Sequence, residues 1–261
     1  MGQASIGAST VVSESYVGAF AARAAAEHAD AHAVHTSLEL IDELYEYNHW
    51  IFTKVRPFIS GAVCEVGGGI GNITQFLLNQ PHVTCLEPYP PSLQRARARF
   101  ADHRNVAVEP FLLQDCPREG VAAGSFDSIV CLNVLEHIED DVEALRIMRA
   151  LSRPGGRVVI LVPAHMSAFG SLDRSFGHWR RYNRRSLRRA FAAAGLSVAA
   201  SSYMNAIGYF GWIWEGCVRR RTTLSRQAAR TFNHLVPFLD AFERLIRFPF
   251  GQSLVMVGTP E

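Results

Sequence analysis

The sequence predicts an α/β fold in which helices cover both faces of a parallel β-sheet. Three observations support this prediction. Short apolar runs alternate with segments of helical periodicity over residues 61–202, a pattern typical of β-α-β units. The first apolar run, 62–66, leads directly into a glycine-rich turn. A last apolar run, 253–258, follows a long excursion, and we expect it to return to the same sheet.

Composition narrows the class of protein. The 261 residues, 48% of them hydrophobic, can bury the core of one large domain. The formal net charge of +2 argues against a nucleic-acid-binding protein.

The five cysteines form no Cys-x-x-Cys pair, so we expect reduced core thiols and no metal site or disulfide. No apolar run reaches the ~20 residues of a membrane span, and no signal peptide is visible, so we expect a cytoplasmic protein.

The chain divides into four expected parts. A capping box, Thr36-x-x-Glu39, begins a helix that ends before Pro57 and should cover the mouth of the domain. The parts are a mobile N-terminal arm (1–35), this covering helix (36–60), a core (61–202 plus 252–261) and a helical, aromatic-rich insert (203–251).

The elements of the core follow from periodicity and from breakers such as Pro and Gly. The expected strands are 62–66, 82–87, 105–109, 126–132, 157–162, 196–202 and 253–258. The expected helices are 72–79, 91–101, one from about 138 and one that begins with Asn183 as N-cap and stops at Gly195. A Pro-Gly-Gly turn at 154–156 should precede the fifth strand.

The glycine turn presents Gly67, Gly69 and Gly71 at every second position, with Glu65 two residues before them. A dinucleotide site needs G-x-G-x-x-G, which would place a glycine where Asn72 stands. This spacing disfavours a nicotinamide-dependent oxidoreductase.

The spacing E-x-G-x-G-x-G resembles motif I of the class I S-adenosylmethionine (AdoMet)-dependent methyltransferases. Further stretches resemble that family's motifs in the same order: Glu87 at the end of the second strand, Gln114-Asp115 after the third, 131–138 after the fourth and the turn 151–156. The resemblance covers about residues 45–202 and 252–258. It implies a Rossmann-like, mostly parallel sheet of seven strands whose last strand is antiparallel, with AdoMet as cofactor, S-adenosylhomocysteine as product and no metal.

The resemblance also implies roles for single residues. Glu65 should lie near the amino group of AdoMet, Glu87 should bind the ribose, and Asp115 with Gln114 should bind the adenine. Asn133, after the fourth strand, is expected at the cofactor as well. The glycines would let the backbone approach the ligand, and a helix starting after Gly71 would favour its carboxylate.

The methyl acceptor depends on residues outside these motifs. The loop after the fifth strand offers four candidate acid–base or binding groups: His165, Asp173, His178 and Tyr182. His137 either serves as a base near the sulfonium or only shapes the pocket. Arg180 and Arg181 are candidates for an anionic acceptor group, and Trp50 of the covering helix is a further candidate substrate contact.

The leading prediction is therefore a methyltransferase for a small-molecule acceptor, anionic or aromatic, at O, N or C. Enzymes that methylate amino groups of nucleic-acid bases typically carry Asn/Asp-Pro-Pro-Tyr at the end of the fourth strand. Residues 133–136 are Asn-Val-Leu-Glu instead, which counts against such an acceptor. Aromatic residues of the insert followed by Arg219–Arg221 suggest a lipid acceptor or weak membrane-surface contact as an alternative. A non-catalytic AdoMet-binding partner protein is a second alternative, and either a monomer or a homodimer is expected.

Overall fold

A computed structural model describes residues 40–246 and 248–260. The predicted N-terminal arm and the capping box at Thr36 lie outside this range. The described part contains a seven-stranded sheet in the order β3-β2-β1-β4-β5-β7-β6. All neighbouring strands are parallel except β7, which pairs antiparallel with both β5 and β6. This topology confirms the predicted fold class.

The strands lie close to their predicted positions. Their bounds are β1 Ala62–Val66, β2 His82–Leu86, β3 Val106–Glu109, β4 Phe126–Leu132, β5 Ser152–Pro163, β6 Leu196–Met204 and β7 Ser253–Pro260. The turn expected at 154–156 lies inside β5, where the pairing with β4 shifts between Phe126 and Ser128. Cys64, Cys85 and Cys131 are buried free thiols in strands, as predicted.

Helices cover both faces of the sheet. Their bounds are α1 Tyr45–Val55, α2 Pro90–Arg99, α3 Asp141–Leu151, α4 Ser171–Ser175, α5 Arg184–Ala193, α6 Ala206–Trp212 and α7 Arg226–Leu245. The two faces follow the alternation of side chains along a strand. In β1, Cys64 packs in the cluster that contains Leu145 of α3 and Phe191 of α5, whereas Val63 packs with Ile51 of α1 and Val236 of α7.

The helix predicted over 72–79 is wrong. A single 3₁₀ turn, Thr74–Phe76, occupies this segment. The hydroxyl of Thr74 donates to Glu65 at 2.6 Å, and Asn105 donates to the carbonyls of Leu78 and Gln80 at 2.9 Å each. These bonds satisfy groups of the segment without a helical ladder, and Pro81 follows at once. The segment therefore offers no α-helix N-terminus of the kind expected to attract the ligand carboxylate.

The covering helix is also shorter than predicted. The described chain is helical at 40–42, breaks at 43–44, and starts α1 at Tyr45. At the break, the carbonyl of Ile41 accepts from the backbone amide of Leu44 at 3.0 Å and from the side-chain amide of Asn48 at 2.7 Å. The helix expected from about 138 begins at Asp141, with Asp140 as N-cap accepting from the amide of Glu143. Asn183 caps α5 as predicted.

The insert consists of α6, a π-helical segment Ile213–Val218 and α7. It is tied to the covering helix, because the amide of Tyr47 donates to Asn233 at 2.9 Å and Lys54 pairs with Asp240 at 2.9 Å. Glu243 accepts from the amides of Asn205 and Ala206 and so joins α7 to the start of α6. The insert therefore closes over the carboxyl end of the sheet together with α1.

Candidate active site

A cavity of about 560 Å³ lies between the glycine turn after β1 and the helices of the insert. Its floor includes Glu65, Gly67, Gly68 and Asn133, which follow or end strands of the sheet. Its opposite wall is largely apolar and comes from the covering helix, the loop after β5 and the insert: Ile51, Leu172, Phe176, Trp212, Trp214, Leu224 and Phe232. The cofactor candidates Glu65 and Gly67 therefore share one continuous space with the acceptor candidate His178.

The glycine turn is shaped by its own backbone and by its protein neighbours. Gly67, Gly69 and Gly71 all have positive φ, at 68°, 59° and 88°, a conformation that other residues adopt only at a cost. A Cβ at Gly67 would lie 2.6 Å from Val134 Cγ2. The amides of Gly67 and Gly68 both donate to the carbonyl of Leu86. Packing of the turn therefore requires glycine before any ligand binds.

Two buried carboxyl groups meet this turn. Glu87 accepts from the amide of Gly69 at 2.7 Å and from that of Tyr89 at 2.8 Å. Glu65 accepts from Thr74 and lines the cavity. Burial raises the pKa of each carboxyl to about 7. A cationic ligand would lower the cost of ionising Glu65, and AdoMet carries a sulfonium and an ammonium group.

The other predicted cofactor contacts are placed less directly. Asp115 is buried in a 3₁₀ turn after β3, and Gln114 beside it is exposed. Asn133 lines the cavity in a left-handed conformation (φ 55°), and its amide donates to the carbonyl of Leu161. Glu87, Gln114 and Asp115 lie outside the cavity wall. Their roles at ribose and adenine stay predictions.

Three side chains with metal-binding chemistry meet on the cavity wall. One ligand atom from each of Glu136, His137 and His178 lies within 4.8 Å of the other two. Burial raises the pKa of the Glu136 carboxyl to about 7 and lowers that of His137 to about 3. Among the described residues, Glu136 Oε2 has no hydrogen-bond partner. This cluster could hold a cation or a proton, and the prediction of no metal stays a prediction.

Asp173 organises the loop after β5. Its Oδ1 accepts from His178 Nδ1 at 2.8 Å and from Arg181 Nε at 2.7 Å, and its Oδ2 accepts from Trp212 Nε1 at 3.0 Å. Burial alone would raise the pKa of Asp173, but the bonds from His178 and Arg181 outweigh it and lower the pKa to about 2. A buried, ionised carboxylate therefore fixes the imidazole of His178 at the cavity wall.

Tyr182, Arg180 and His165, all predicted near the acceptor, do not line the cavity. The hydroxyl of Tyr182 is buried and donates to Asp141 at 2.8 Å. Arg180 pairs with the same carboxylate at 3.1 Å and donates to the carbonyl of Glu139. His165 stacks on the ring of Tyr203, with centroids 4.9 Å apart. The positions of these residues argue against their predicted contacts with a substrate.

Arg181 and Trp50 also have structural surroundings. The guanidinium of Arg181 is buried, donates to Asp173 and to the carbonyl of Ala164, and lies 4.9 Å from the centre of the Trp212 ring. Trp50 is buried in the core between α1 and the sheet. Neither residue lines the cavity. The expectation that Arg180 and Arg181 bind an anionic acceptor is therefore not supported by the geometry.

Several residues in or behind the cavity wall gave little or no signal in the sequence. Glu136 stands inside a family-like motif, which does not reveal that its carboxyl is buried at the cavity. The hydrogen bond from Thr74 to Glu65 gave no signal, because the sequence predicts a helix over 72–79 and not the 3₁₀ turn that contains Thr74. The link from Trp212 to Asp173 spans 39 residues, and no local pattern reports such a contact.

The sheet order, the single antiparallel strand, and the glycine turn beside a large cavity define the class I methyltransferase fold. Residues 39–201 match the family described as "Methyltransferase domain", and the chain belongs to this family. Membership confirms the class predicted from the motifs, and with it AdoMet as the cofactor.

Individual relatives are more distant. The chain is 29% identical to a ubiquinone biosynthesis O-methyltransferase of Methylocella silvestris over 157 residues, which are 55% of this chain and 60% of that protein. It is 34% identical over 98 residues to the human thiol S-methyltransferase TMT1B, covering 36% and 39% of the two chains. A Haloferax volcanii protein solved with the methyltransferase activator Trm112 superposes with a TM-score of 0.58 at 20% identity, covering 84% and 94%.

Proposed function

We propose that this protein transfers a methyl group from AdoMet to a small, largely apolar acceptor, with His178 accepting the proton that the acceptor loses. The observation that carries the proposal is the continuity of the 560 Å³ cavity. It joins the glycine turn, where the family binds its donor, to an apolar wall that carries a positioned imidazole. The chain spans about 60% of the O-methyltransferase from Methylocella silvestris, so activity and acceptor are both part of the proposal.

At the donor end, Glu65 and the backbone of Gly67 and Gly68 would hold AdoMet. When bound, AdoMet supplies an electrophilic methyl group on a positively charged sulfur. A cationic ligand beside Glu65 would favour its ionised form, whose pKa is otherwise raised to about 7. The apolar wall would exclude water, which leaves alignment of the acceptor as the main task of the protein.

At the acceptor end, His178 is better suited than His137 to take a proton. Burial lowers the pKa of His137 to about 3, which leaves it neutral and a weak base. His178 is held through Nδ1 by the ionised Asp173, so its other ring nitrogen is available toward the cavity. A carboxylate partner of this kind fixes the orientation of the imidazole ring.

The side chains of the cavity wall indicate what kind of acceptor the cavity fits. Trp212, Trp214, Phe176 and Phe232 favour an aromatic or apolar body. The relatives named above act on an O and an S acceptor, as their names state. A proton-accepting residue is useful when the acceptor is a hydroxyl or a thiol, because either becomes a better nucleophile as it loses its proton.

The test is methyl transfer from labelled AdoMet to pools of small hydroxyl and thiol compounds, compared between His178→Asn and the native protein. We expect the variant to lose about 100-fold or more in kcat, as for removal of a general base, while its affinity for AdoMet is unchanged. His234→Asn changes an exposed histidine of α7 and serves as the matched control.

Two results would overturn the proposal. If the native protein binds AdoMet but turns over no acceptor, the non-catalytic alternative is correct. If a chelator abolishes activity and a divalent cation restores it, the cluster of Glu136, His137 and His178 binds a metal, and His178 is not the free base. Activity that survives the chelator and disappears in His178→Asn supports the proposal.

A further inference from the structure

The insert exposes an apolar helix face to solvent. On α7, Leu235, Phe238, Phe242 and Leu245 recur at intervals of three and four residues, and Phe238 and Leu245 are 74% and 84% exposed. Such spacing places the four side chains on one face. The opposite side of the same helix packs on the protein, where Val236 is buried and Asn233 bonds to Tyr47. One face of α7 is therefore unpaired within the described chain.

A second apolar face adjoins the first. Ile207, Phe210, Trp214 and Val218 recur at similar intervals along α6 and the π-helical segment, each at least half exposed. Ring contacts connect the two faces: the centroids of Phe210 and Phe250, of Phe250 and Phe248, and of Phe248 and Phe242 are 5.8, 5.8 and 5.9 Å apart. We call this continuous surface the insert patch. Its members are Ile207, Phe210, Trp214, Val218, Leu235, Phe238, Phe242, Leu245, Phe248 and Phe250.

The insert is also strongly basic. Residues 203–250 contain seven arginines and three carboxylates, an excess of four positive charges in a chain whose formal net charge is +2. The carboxylates are occupied: Glu243 caps α6, Asp240 pairs with Lys54, and Glu215 pairs with Arg219 and Arg221. Arg220, two residues after Val218 of the patch, has no ion pair within residues 40–246 and 248–260. The charge beside the patch is therefore positive.

We propose that the insert patch is a docking surface for a lipid bilayer that contains anionic lipids. Exposed aromatic and aliphatic side chains bordered by arginines match the interface of such a bilayer, where apolar groups enter the headgroup region and cations meet phosphates. No helix in the described part of the chain is long and apolar enough to cross a membrane, so the contact is superficial. A second copy of the chain would instead bring the arginines of two inserts together, which their charge disfavours.

Docking would bring the cavity to the bilayer. Trp214 belongs both to the patch and to the cavity wall, and Gly208, Gly211 and Trp212 of the same helical stretch also line the cavity. One helix thus faces lipid on one side and the cavity on the other. An apolar acceptor dissolved in the bilayer would have a short path to the site.

The test is co-sedimentation of the full chain with vesicles at low salt. We expect binding to phosphatidylcholine vesicles that contain about one third phosphatidylglycerol, weak binding to pure phosphatidylcholine, and loss of binding as salt is raised. Phe238→Asp/Leu245→Asp should reduce the partition coefficient at least tenfold, as expected for losing two buried apolar side chains. Arg220→Ala should reduce it about fivefold, in the anionic vesicles only.

The matched control is Arg188→Ala/Arg189→Ala on α5. Like Phe238→Asp/Leu245→Asp, this variant lowers the net charge by two. Its two positions lie on the other face of the sheet from α7. It should retain binding. Because Phe238 and Leu245 are exposed and lie outside the cavity wall, AdoMet binding measured without vesicles should be unchanged and reports folding.

Three outcomes would overturn the proposal: no binding to anionic vesicles at low salt, equal loss in the control variant, or binding that survives both patch variants. A dimer in solution that dissociates in Phe238→Asp/Leu245→Asp, together with no vesicle binding, would assign the patch to a second copy instead. AdoMet binding is independent of these results, so failure of membrane docking leaves the proposed activity to be judged separately.

Discussion

At the scale of single residues, burial raises the pKa of three carboxyl groups at the candidate site toward neutrality. Glu65, Glu87 and Glu136 each have a pKa raised to about 7, whereas Asp173, bonded to His178 and Arg181, has a pKa lowered to about 2. The ionised form of Asp173 is stabilised by its hydrogen bonds with His178 and Arg181. Glu65 and Glu136 border the cavity, where a cationic ligand could supply the missing charge.

A stability measurement on Glu136→Gln tests this description. Below about pH 4 the Glu136 carboxyl is protonated in both folded and unfolded chains. As pH rises toward 7, the unfolded chain loses this proton while the folded chain keeps it, so the native protein loses stability. Glutamine cannot ionise. The ligand-free variant should therefore gain stability relative to the native protein across this range, by up to about 3 kcal/mol.

The measurement is the urea midpoint at a series of pH values. Glu139→Gln, which removes an exposed carboxylate from the same loop, controls for the change of net charge. A difference between Glu136→Gln and the native protein that stays constant from pH 4 to 7 would contradict the raised pKa of Glu136.

The sequence singles out Asp173 and His178 as candidates for the site but does not show their partners. Asp173 and His178 were expected as separate candidates, and the structure joins them in one hydrogen bond. Arg180, Arg181 and Tyr182 were expected at the acceptor, yet each is engaged by another part of the protein. These hydrogen bonds and ion pairs depend on the geometry of the loop and on the bond that Trp212 of the insert donates to Asp173. Local sequence spacing encodes neither.

At the scale of elements, the glycine turn is the feature that local sequence specified best. Positive φ at three alternate positions is a backbone requirement, and only glycine meets it without strain. The following helix was predicted wrongly because residues outside the segment bind it: Asn105 donates to the carbonyls of Leu78 and Gln80, and Glu65 accepts from the side chain of Thr74. Caps such as Asn183 were predicted correctly because capping is a local interaction.

Gly67→Ala separates the two reasons for glycine at this turn. Gly124→Ala is the matched control, because Gly124 has nearly the same φ (66° against 68°) but a Cβ added there would meet no atom within 4 Å. The control should lose about 1 kcal/mol of stability from backbone strain alone. Gly67→Ala should lose about 3 kcal/mol, since its methyl group also meets Val134.

The double variant Gly67→Ala/Val134→Ala checks the assignment. Removing the Val134 methyl groups should recover at least about 1 kcal/mol relative to the sum of the two single changes, measured by chemical denaturation. Strict additivity of the two changes would show that the contact with Val134 does not matter.

At the scale of the whole molecule, the topology was predictable because β-α-β alternation, the ordered motifs and the returning last strand all agree. The insert was not. It lies beyond residues 39–201, the part that matches the methyltransferase family. Its path depends on contacts between residues remote in sequence, from Asn233 to α1 and from Glu243 to the start of α6. The insert forms one wall of the cavity and carries the insert patch. Both the proposed acceptor and the proposed membrane docking therefore depend on a region with few sequence signals.

Binding of AdoMet at the glycine turn is tested most directly by a calorimetric titration of AdoMet into the native protein and into Glu65→Gln. We predict a single site per chain in the native protein and about tenfold weaker binding in the variant, because the variant removes a buried carboxylate that faces a cationic ligand. Equal affinity in Glu65→Gln would show that AdoMet does not contact this carboxyl. Absence of heat with the native protein, while a known methyltransferase binds under the same conditions, would contradict AdoMet binding itself.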